Sequence, residues 1–112
     1  ELSSAASDVY KRQIPRQARM FTTRTTVVFS PVTSGDSTVM ELVAADRPGL
    51  LSTIGQVFIE QEVDIEAAKI MTIGERAEDV FYISDESGNV LDDAAQERLR
   101  DALLHRLDSD FA

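Results

Sequence analysis

The sequence predicts a two-layer α+β sandwich, with two helices on one face of a four-stranded antiparallel sheet. Four segments have the composition of β-strands, and apolar residues recur with a period near 3.6 in two others. These segments follow the order strand, strand, helix, strand, strand, helix, which places the helices on one side of the sheet. The chain has 112 residues, 43% of them hydrophobic, which is enough for one core and too few for two.

The first two strands are expected at residues 25–30 and 38–45. Residues 25–30 are rich in β-branched and aromatic side chains and stop before a proline. The Ser-Gly-Asp-Ser sequence that follows is typical of a turn. The short connection predicts that the two strands pair as an antiparallel hairpin.

The first helix is predicted from the change of period after Asp46. Its apolar stripe consists of Leu50, Leu51, Ile54, Val57 and Phe58. We expect the Asp46 side chain to cap its first turn, with Pro48 at an early position that needs no amide donor. No glycine follows the helix to provide the usual left-handed cap, because Gln61 and Glu62 occupy that place.

The third and fourth strands are expected at residues 64–73 and 79–84, with a turn over residues 74–78. Ile65 and Ile70 have opposite parities in the third strand, and a bulge near Ala68 would reconcile them. Asp92 or Asp93 then caps the last helix, which continues to about residue 107.

The element order predicts a rearranged ferredoxin-like topology. The ordinary βαββαβ unit ends on an edge strand, whereas this pattern ends on a helix. We expect the strand at 25–30 to occupy that edge, so that the N-terminal strand replaces the last one. Residues 1–20 are expected to form a linker or a remnant of a preceding domain, and residues 21–112 the domain itself. Because the chain begins with Glu1, we expect it to be a fragment of a longer protein.

Composition argues against several classes of function. The net charge is −9. A basic cluster occupies residues 11–19, and this segment fits either a docking arm for an acidic partner or a solvated linker. The acidic remainder would repel phosphate, so no nucleic-acid partner is expected. With no Cys and one His, we expect no metal and no cofactor. Without a long apolar run or a signal-peptide pattern, we expect a cytoplasmic protein with no membrane partner.

Three segments together resemble a known family. The residues from Asp46 to Leu51 read Asp-Arg-Pro-Gly-Leu-Leu, which resembles the signature at the first strand-to-helix turn of ACT domains. Residues 68–85 resemble the second ACT repeat of the bacterial bifunctional uridylyltransferase/uridylyl-removing enzymes, and residues 14–17 resemble the linker entering that repeat. The likeness covers about residues 13–107.

The resemblance implies a regulatory ACT domain that takes part in nitrogen sensing. In such enzymes, nucleotidyltransferase and HD-type hydrolase domains attach UMP to the signal protein PII and remove it, while paired ACT repeats read glutamine. This chain has no Gly-Ser loop with paired aspartates, and its lone His105 has no His-Asp companion, so we expect no catalytic residue. The implied partners are an amino acid, expected to be glutamine, another ACT domain, and the catalytic domains of the parent chain.

The predicted ligand site lies at the turn before the first helix. An amino acid needs amide donors for its carboxylate, which a helix start offers, and oxygen acceptors for its ammonium, which Asp46 or Asp64 can offer. In ACT domains, the ligand lies where this turn meets the helix-to-strand loop of a neighbouring domain. The expected ligand-binding residues are Asp46, Arg47, Pro48, Gly49, Leu50, Leu51, Val63, Asp64 and Ile65. The same turn also begins helices that bind nothing, so a packing role stays open.

The fourth predicted strand is apolar on both faces. Phe81 and Ile83 can face the helices, yet the opposite face is apolar too, whereas an open antiparallel sheet is usually polar there. We expect that face to cover a partner, another ACT domain, through Val39, Val43, Val80 and Tyr82. An alternative function is therefore an interaction or dimerisation module that binds no metabolite. A small enzyme such as an acylphosphatase would need a basic phosphate cradle, which the acidic body lacks.

Overall fold

The computed structural model describes residues 23–109, which form one sheet and two helices. The strands are β1 (Thr26–Phe29), β2 (Thr38–Ala45), β3 (Val63–Ile73) and β4 (Arg76–Asp85). Helix α1 (Leu50–Glu60) connects β2 to β3, and helix α2 (Asp93–Ser109) follows β4. The predicted linker at residues 1–20, and the predicted start of the domain at residue 21, lie outside the described residues.

The sheet is antiparallel, and its spatial order is β1-β2-β4-β3. β1 pairs with β2 so that Thr26 lies opposite Val43. This confirms that the N-terminal strand takes the edge position that the last strand holds in the ordinary ferredoxin-like sheet. β2 and β4 form the central pair, in which Met40 lies opposite Phe81. The antiparallel sheet and the two helices confirm the predicted α+β class.

The core lies between the sheet and the helices. Successive side chains of a strand point to opposite faces, so alternate residues of β2 and β4 are buried against α1 and α2. The main core residues are Met40, Leu42, Phe81 and Ile83 from the strands and Ile54, Val57, Phe58, Leu99, Leu103 and Leu107 from the helices. Leu51, predicted in the same stripe, is exposed instead and lines a crevice, whereas the adjacent Leu50 is buried in the core.

Both ends of α1 differ from the usual pattern. Its N-cap is Gly49, in the left-handed conformation at φ 80°, and no side chain caps its first turn. The predicted Asp46 cap is therefore wrong, because the turn at Pro48 and Gly49 separates Asp46 from the helix. The Asp46 amide donates to the Glu75 carbonyl instead, at 2.9 Å. After the helix, Glu62 adopts a left-handed φ of 59° without being glycine, which costs about 1 kcal/mol.

The β3–β4 hairpin is longer and more regular than predicted. β4 begins at Arg76 and not at residue 79, because Gly74 at φ 62° allows a tight turn in which Ile73 lies opposite Arg76. A bulge is present, but it falls at Glu66, between Ile65 and Ala67, and not near Ala68. The Ser84 hydroxyl donates to the Glu66 carboxylate at 2.9 Å, which ties the bulge to β4.

Helix α2 packs beside α1 on the same face of the sheet and contacts β1. Asp92 accepts a hydrogen bond from the Ala95 amide at 2.8 Å, so one of the two predicted caps is confirmed. Farther along the helix, Arg100 donates through Nε to the Val27 carbonyl at 3.2 Å. Its guanidinium also lies 5.6 Å from the ring centroid of Phe29. Arg100 therefore covers part of the β1 edge, where unpaired backbone groups would otherwise invite another strand.

Candidate functional site

Among the residues that the structure describes, two crevices lie at opposite ends of the sheet. We call the first the turn crevice, where the β2–α1 turn meets β3 and β4, and the second the loop crevice, beside the α1–β3 loop. The register fixes their separation, because Ala45 and Ile73 lie opposite Arg76 at one end, while Val63 lies opposite Asp85 at the other. The predicted ligand residues on the turn and on the loop therefore do not meet within one chain.

The turn crevice is small and has two chemically different walls. One wall is formed by Asp46, Arg47, Gly49, Leu50, Leu51 and Ser52, and the other by Ile70, Thr72, Ala77 and Asp79. Its volume is about 270 Å³, just below the range of roughly 300–1,000 Å³ typical of drug-sized ligand pockets. The size of the crevice therefore suits a metabolite of few atoms.

The first turn of α1 gives this crevice its hydrogen-bond donors. The Leu50 amide donates to the Arg47 carbonyl at 3.2 Å, and the first intrahelical bond runs from the Thr53 amide to the Gly49 carbonyl at 2.9 Å. The amides of Leu51 and Ser52 lie before that bond, and no side chain caps the turn. Amides in this position, together with the helix dipole, favour an anionic group.

Arg47 connects the turn to the end of α2. Its Nη2 atom donates to the Leu107 carbonyl at 3.3 Å, and the side chain is half-buried. The contact fixes the position of the turn relative to both helices, because Leu107 is itself a core residue. It also places a permanent positive charge at one end of the turn crevice.

Asp79 belongs to the site but is absent from the residues predicted from the sequence. It lies in the middle of β4, between Leu42 on β2 and Ile70 on β3, and is 2% exposed. Its Oδ1 atom accepts a hydrogen bond from the Met71 amide at 3.3 Å, whereas its buried Oδ2 atom has no hydrogen-bond partner. Burial raises the pKa of the Asp79 carboxyl, with a smaller rise from the charge of Asp46, and the Met71 bond opposes both.

A sequence signal for Asp79 does exist. Ala77, Phe81 and Ile83 have the same parity in β4 and are buried under the helices. A carboxylate in mid-strand between apolar inward residues is unusual, because charged groups are rarely buried without a partner. The pattern marks the residue, but only the packing of α1 shows that it lines the turn crevice.

The other predicted ligand residues lie elsewhere. Val63 is buried and lines the loop crevice, a space of about 260 Å³. Asp64 and Ile65 are exposed on β3 and line neither crevice. Pro48 is exposed at the tip of the turn and does not line the turn crevice. Val63, Asp64 and Ile65 would need a neighbouring domain to share a ligand with the turn.

The four predicted interface residues lie on the sheet face away from the helices. Val39, Val43, Val80 and Tyr82 alternate with buried core residues and are each half-buried. Around them, Val28 is 54% exposed, Met71 53% and Ile73 49%. We call the face defined by these seven residues the open face. Charged residues interrupt it, namely Glu41, Lys69, and an ion pair between Arg76 and Glu78, so it is less apolar than β4 alone indicates.

Residues 23–109 contain neither a candidate metal centre nor a candidate membrane span. Within that range, no group of three or more His, Asp or Glu side chains is arranged to hold a metal ion. None of the helices described there has both the length and the hydropathy needed to span a bilayer.

Comparison with known proteins gives consistent matches. The family model of the ACT domain matches residues 38–102, from the start of β2 into α2. The bifunctional uridylyltransferase/uridylyl-removing enzyme of Photobacterium profundum is 44% identical over 106 residues, which are 95% of this chain and 12% of that enzyme. The enzyme of the same name from a Psychrobacter species is 46% identical over 94 residues, 84% of this chain and 10% of that enzyme.

A third relative has the same description. The enzyme from Vibrio cholerae is 45% identical over 96 residues, 86% of this chain and 11% of that enzyme. The chain thus spans only about a tenth of the length of these relatives. The matched residues include both walls of the turn crevice.

Proposed function

Because the chain belongs to the ACT domain family, we propose that it is the amino-acid-sensing domain of a bifunctional uridylyltransferase/uridylyl-removing enzyme, with glutamine as its ligand. In this proposal the domain regulates and does not catalyse. Nucleotidyltransferase and phosphodiesterase domains elsewhere in a cytoplasmic parent chain would modify the signal protein PII. The relatives' names suggest the parent enzyme.

The observation that supports this proposal best is the combination of donors and acceptors in the turn crevice. The amides of Leu51 and Ser52 favour a carboxylate at the start of α1. Asp46 and Asp79 supply negative charge on the two walls, which favours an ammonium group. A zwitterionic amino acid presents both groups a few bonds apart, so it matches a small crevice of this polarity.

A second ACT domain would complete the site in this proposal. The turn crevice is open along the edge strand β3, where Ile70 and Thr72 are exposed. Val63, Asp64 and Ile65 lie at the far end of the same strand, so they can reach a ligand only if another copy brings its α1–β3 loop to this turn. Ligand binding would then favour one arrangement of the two domains over another and so influence the catalytic domains.

Calorimetric titration of the full-length protein with L-glutamine tests the proposal. The unmodified protein should show saturable binding. Thr72→Arg, which adds a long side chain to one wall of the turn crevice, should weaken binding at least ~10-fold. Thr33→Arg is the matched control, because it makes the same substitution at an exposed position of the β1–β2 connection, outside the crevice. No binding by the unmodified protein, or equal binding by the two variants, would contradict the proposal.

The open face supports a second candidate function, a docking or dimerisation module that binds no metabolite. Val28, Met71 and Ile73 leave about half of each side chain exposed on that face. Apolar surface of this kind marks protein contacts when it is contiguous. The two functions differ in the titration, because a pure docking module would bind its partner domains without any response to glutamine.

A further inference from the structure

Asp79 places a buried carboxylate oxygen where the described chain gives it no partner. The residue is 2% exposed, and its Oδ1 atom already accepts the Met71 amide, but its Oδ2 atom accepts nothing. Buried polar atoms in folded proteins nearly always have a hydrogen-bond partner. A buried carboxylate that lacks one is unfavourable for the fold, since its charge has lost water without compensation.

The surroundings of Asp79 do not explain its presence. The neighbouring inward residues of β4 are Ala77 and Phe81, which are buried and apolar, so an apolar side chain would suit the same position. Burial raises the pKa of the Asp79 carboxyl, which agrees with a charged form that is poorly compensated when the crevice holds no ligand. Asp79 is nevertheless one of the residues that line the turn crevice. A group bound in the crevice would therefore lie beside the Asp79 side chain.

The charge and number of the carboxylate oxygens in the crevice indicate what kind of ligand group would bind there. Asp79 and Asp46 are the two carboxylates that line the crevice. A calcium ion takes six to eight oxygen ligands, and the described residues contain no cluster of three potential metal ligands. An ammonium group needs only a few acceptors and is attracted by both carboxylates, and its hydrogen bond to a carboxylate is of the strong, charge-assisted type.

We propose that Asp79 binds the ammonium group of the ligand in the turn crevice, and that the ligand is a primary amine whose carboxylate lies at the start of α1. This inference rests on the proposed function and adds the acceptor that fixes the orientation of the amino acid. Asp46 is exposed at the turn and contributes a second negative charge, while Asp64 lies outside the crevice. Asp79 therefore takes the place of Asp64 as the acceptor for the ammonium group. Asp46, the other acceptor predicted from the sequence, contributes less.

The test combines a change in the ligand with a change in the protein. The full-length protein is titrated with L-glutamine and with glutaramic acid, the same molecule without its α-amine. The unmodified protein should prefer glutamine at least ~10-fold, about 1.4 kcal/mol. In Asp79→Asn, this preference should fall to within about 2-fold, because the amine and the carboxylate act as one pair. Asp101→Asn, at an exposed position of α2 that lines neither crevice, is the matched control and should keep the full preference.

The outcomes separate this inference from the proposed function. If the unmodified protein binds neither molecule, the proposed function fails and the inference fails with it. If glutamine binds but Asp79→Asn keeps the preference, the inference is overturned and the proposed function stands. Equal binding of the two molecules by the unmodified protein also overturns the inference and requires no variant. Asp79→Ser, which keeps an oxygen near the Met71 amide, takes the place of Asp79→Asn should the asparagine variant not fold.

Discussion

The ring of Phe58 on α1 meets the ring of Phe81 on β4 edge to face, with centroids 5.3 Å apart and ring planes at 83°. Both side chains are almost fully buried. Phe81 is two residues beyond Asp79 on the same face of the strand, so this contact holds α1 over the strand that forms one wall of the turn crevice. Aromatic pairs in this geometry contribute about 0.5–1.5 kcal/mol beyond the area they bury.

Phe58→Leu should therefore lower the free energy of unfolding by about 1–3 kcal/mol, through loss of the ring contact and formation of a small cavity. Urea denaturation followed by circular dichroism measures the change. Ile59→Ala on the same helix is the control, because Ile59 is 77% exposed, and a surface change of this kind alters stability by only ~0.5 kcal/mol or less. Equal losses in both variants would show that the ring contact contributes nothing particular.

Two glycines of the α1 region should respond in opposite directions to the same substitution. Gly49 has a φ of 80°, which an alanine adopts only with strain, so Gly49→Ala should destabilise the protein by about 1 kcal/mol. Gly55 lies inside the helix, and a Cβ atom there would meet nothing within 4 Å. Gly55→Ala should therefore stabilise the protein by up to about 1 kcal/mol. In urea denaturation, the midpoint of Gly49→Ala should lie below that of the unmodified protein, and the midpoint of Gly55→Ala should lie above it.

The raised pKa of the Asp79 carboxyl predicts a pH dependence with a definite sign. The folded state holds the Asp79 proton more tightly than the unfolded state, whose carboxyl titrates near its usual value of about 3.9. The contribution of this group to stability is therefore favourable at low pH and is lost as pH rises through the folded-state pKa. Asp79→Asn does not titrate, so the stability difference, variant minus unmodified protein, should grow as pH rises from about 4 through the folded-state pKa of Asp79. A difference that stays constant over that interval would contradict the expectation.

The open face should affect association more than folding. Val28→Lys and Met71→Glu place charges at positions that are 54% and 53% exposed, so each should change the free energy of unfolding by only about 0.5 kcal/mol. If the face contacts another copy or domain, both variants should shift sedimentation velocity profiles toward smaller species. Ile59→Glu is the control, since it charges an exposed apolar residue of α1 away from that face. Identical profiles for all variants would remove the open face as an interface.

The elements that were predicted well from the sequence depend on local signals. β2 is found at its predicted residues because its alternation is regular, and the Asp92 cap lies next to the helix that it begins. The sequence predicts the Asp46 cap wrongly because the turn at Pro48 and Gly49 intervenes. It predicts the bulge near Ala68 and not at Glu66, because parity alone does not fix the position of a bulge.

The site depends on how the helices and strands pack together, which the alternation and periodicity of the sequence do not determine. Asp79 becomes part of the turn crevice only when α1 folds across β4. Ile65 and Ile70 are apolar and yet exposed, because β3 is an edge strand that the helices leave largely uncovered. The separation of Val63 from the β2–α1 turn likewise follows from strand order, which is set by the whole sheet.

The central position of β2 beside β4 also has a kinetic consequence. The β1–β2 and β3–β4 hairpins each join neighbours in the chain, whereas β2 and β4 are separated by α1 and β3. Joining the hairpins closes the longest loop, so this step should limit the rate of refolding. Leu42→Ala, in the junction between the hairpins, should slow refolding in stopped-flow experiments. Val27→Ala, in the edge strand, should mainly speed unfolding.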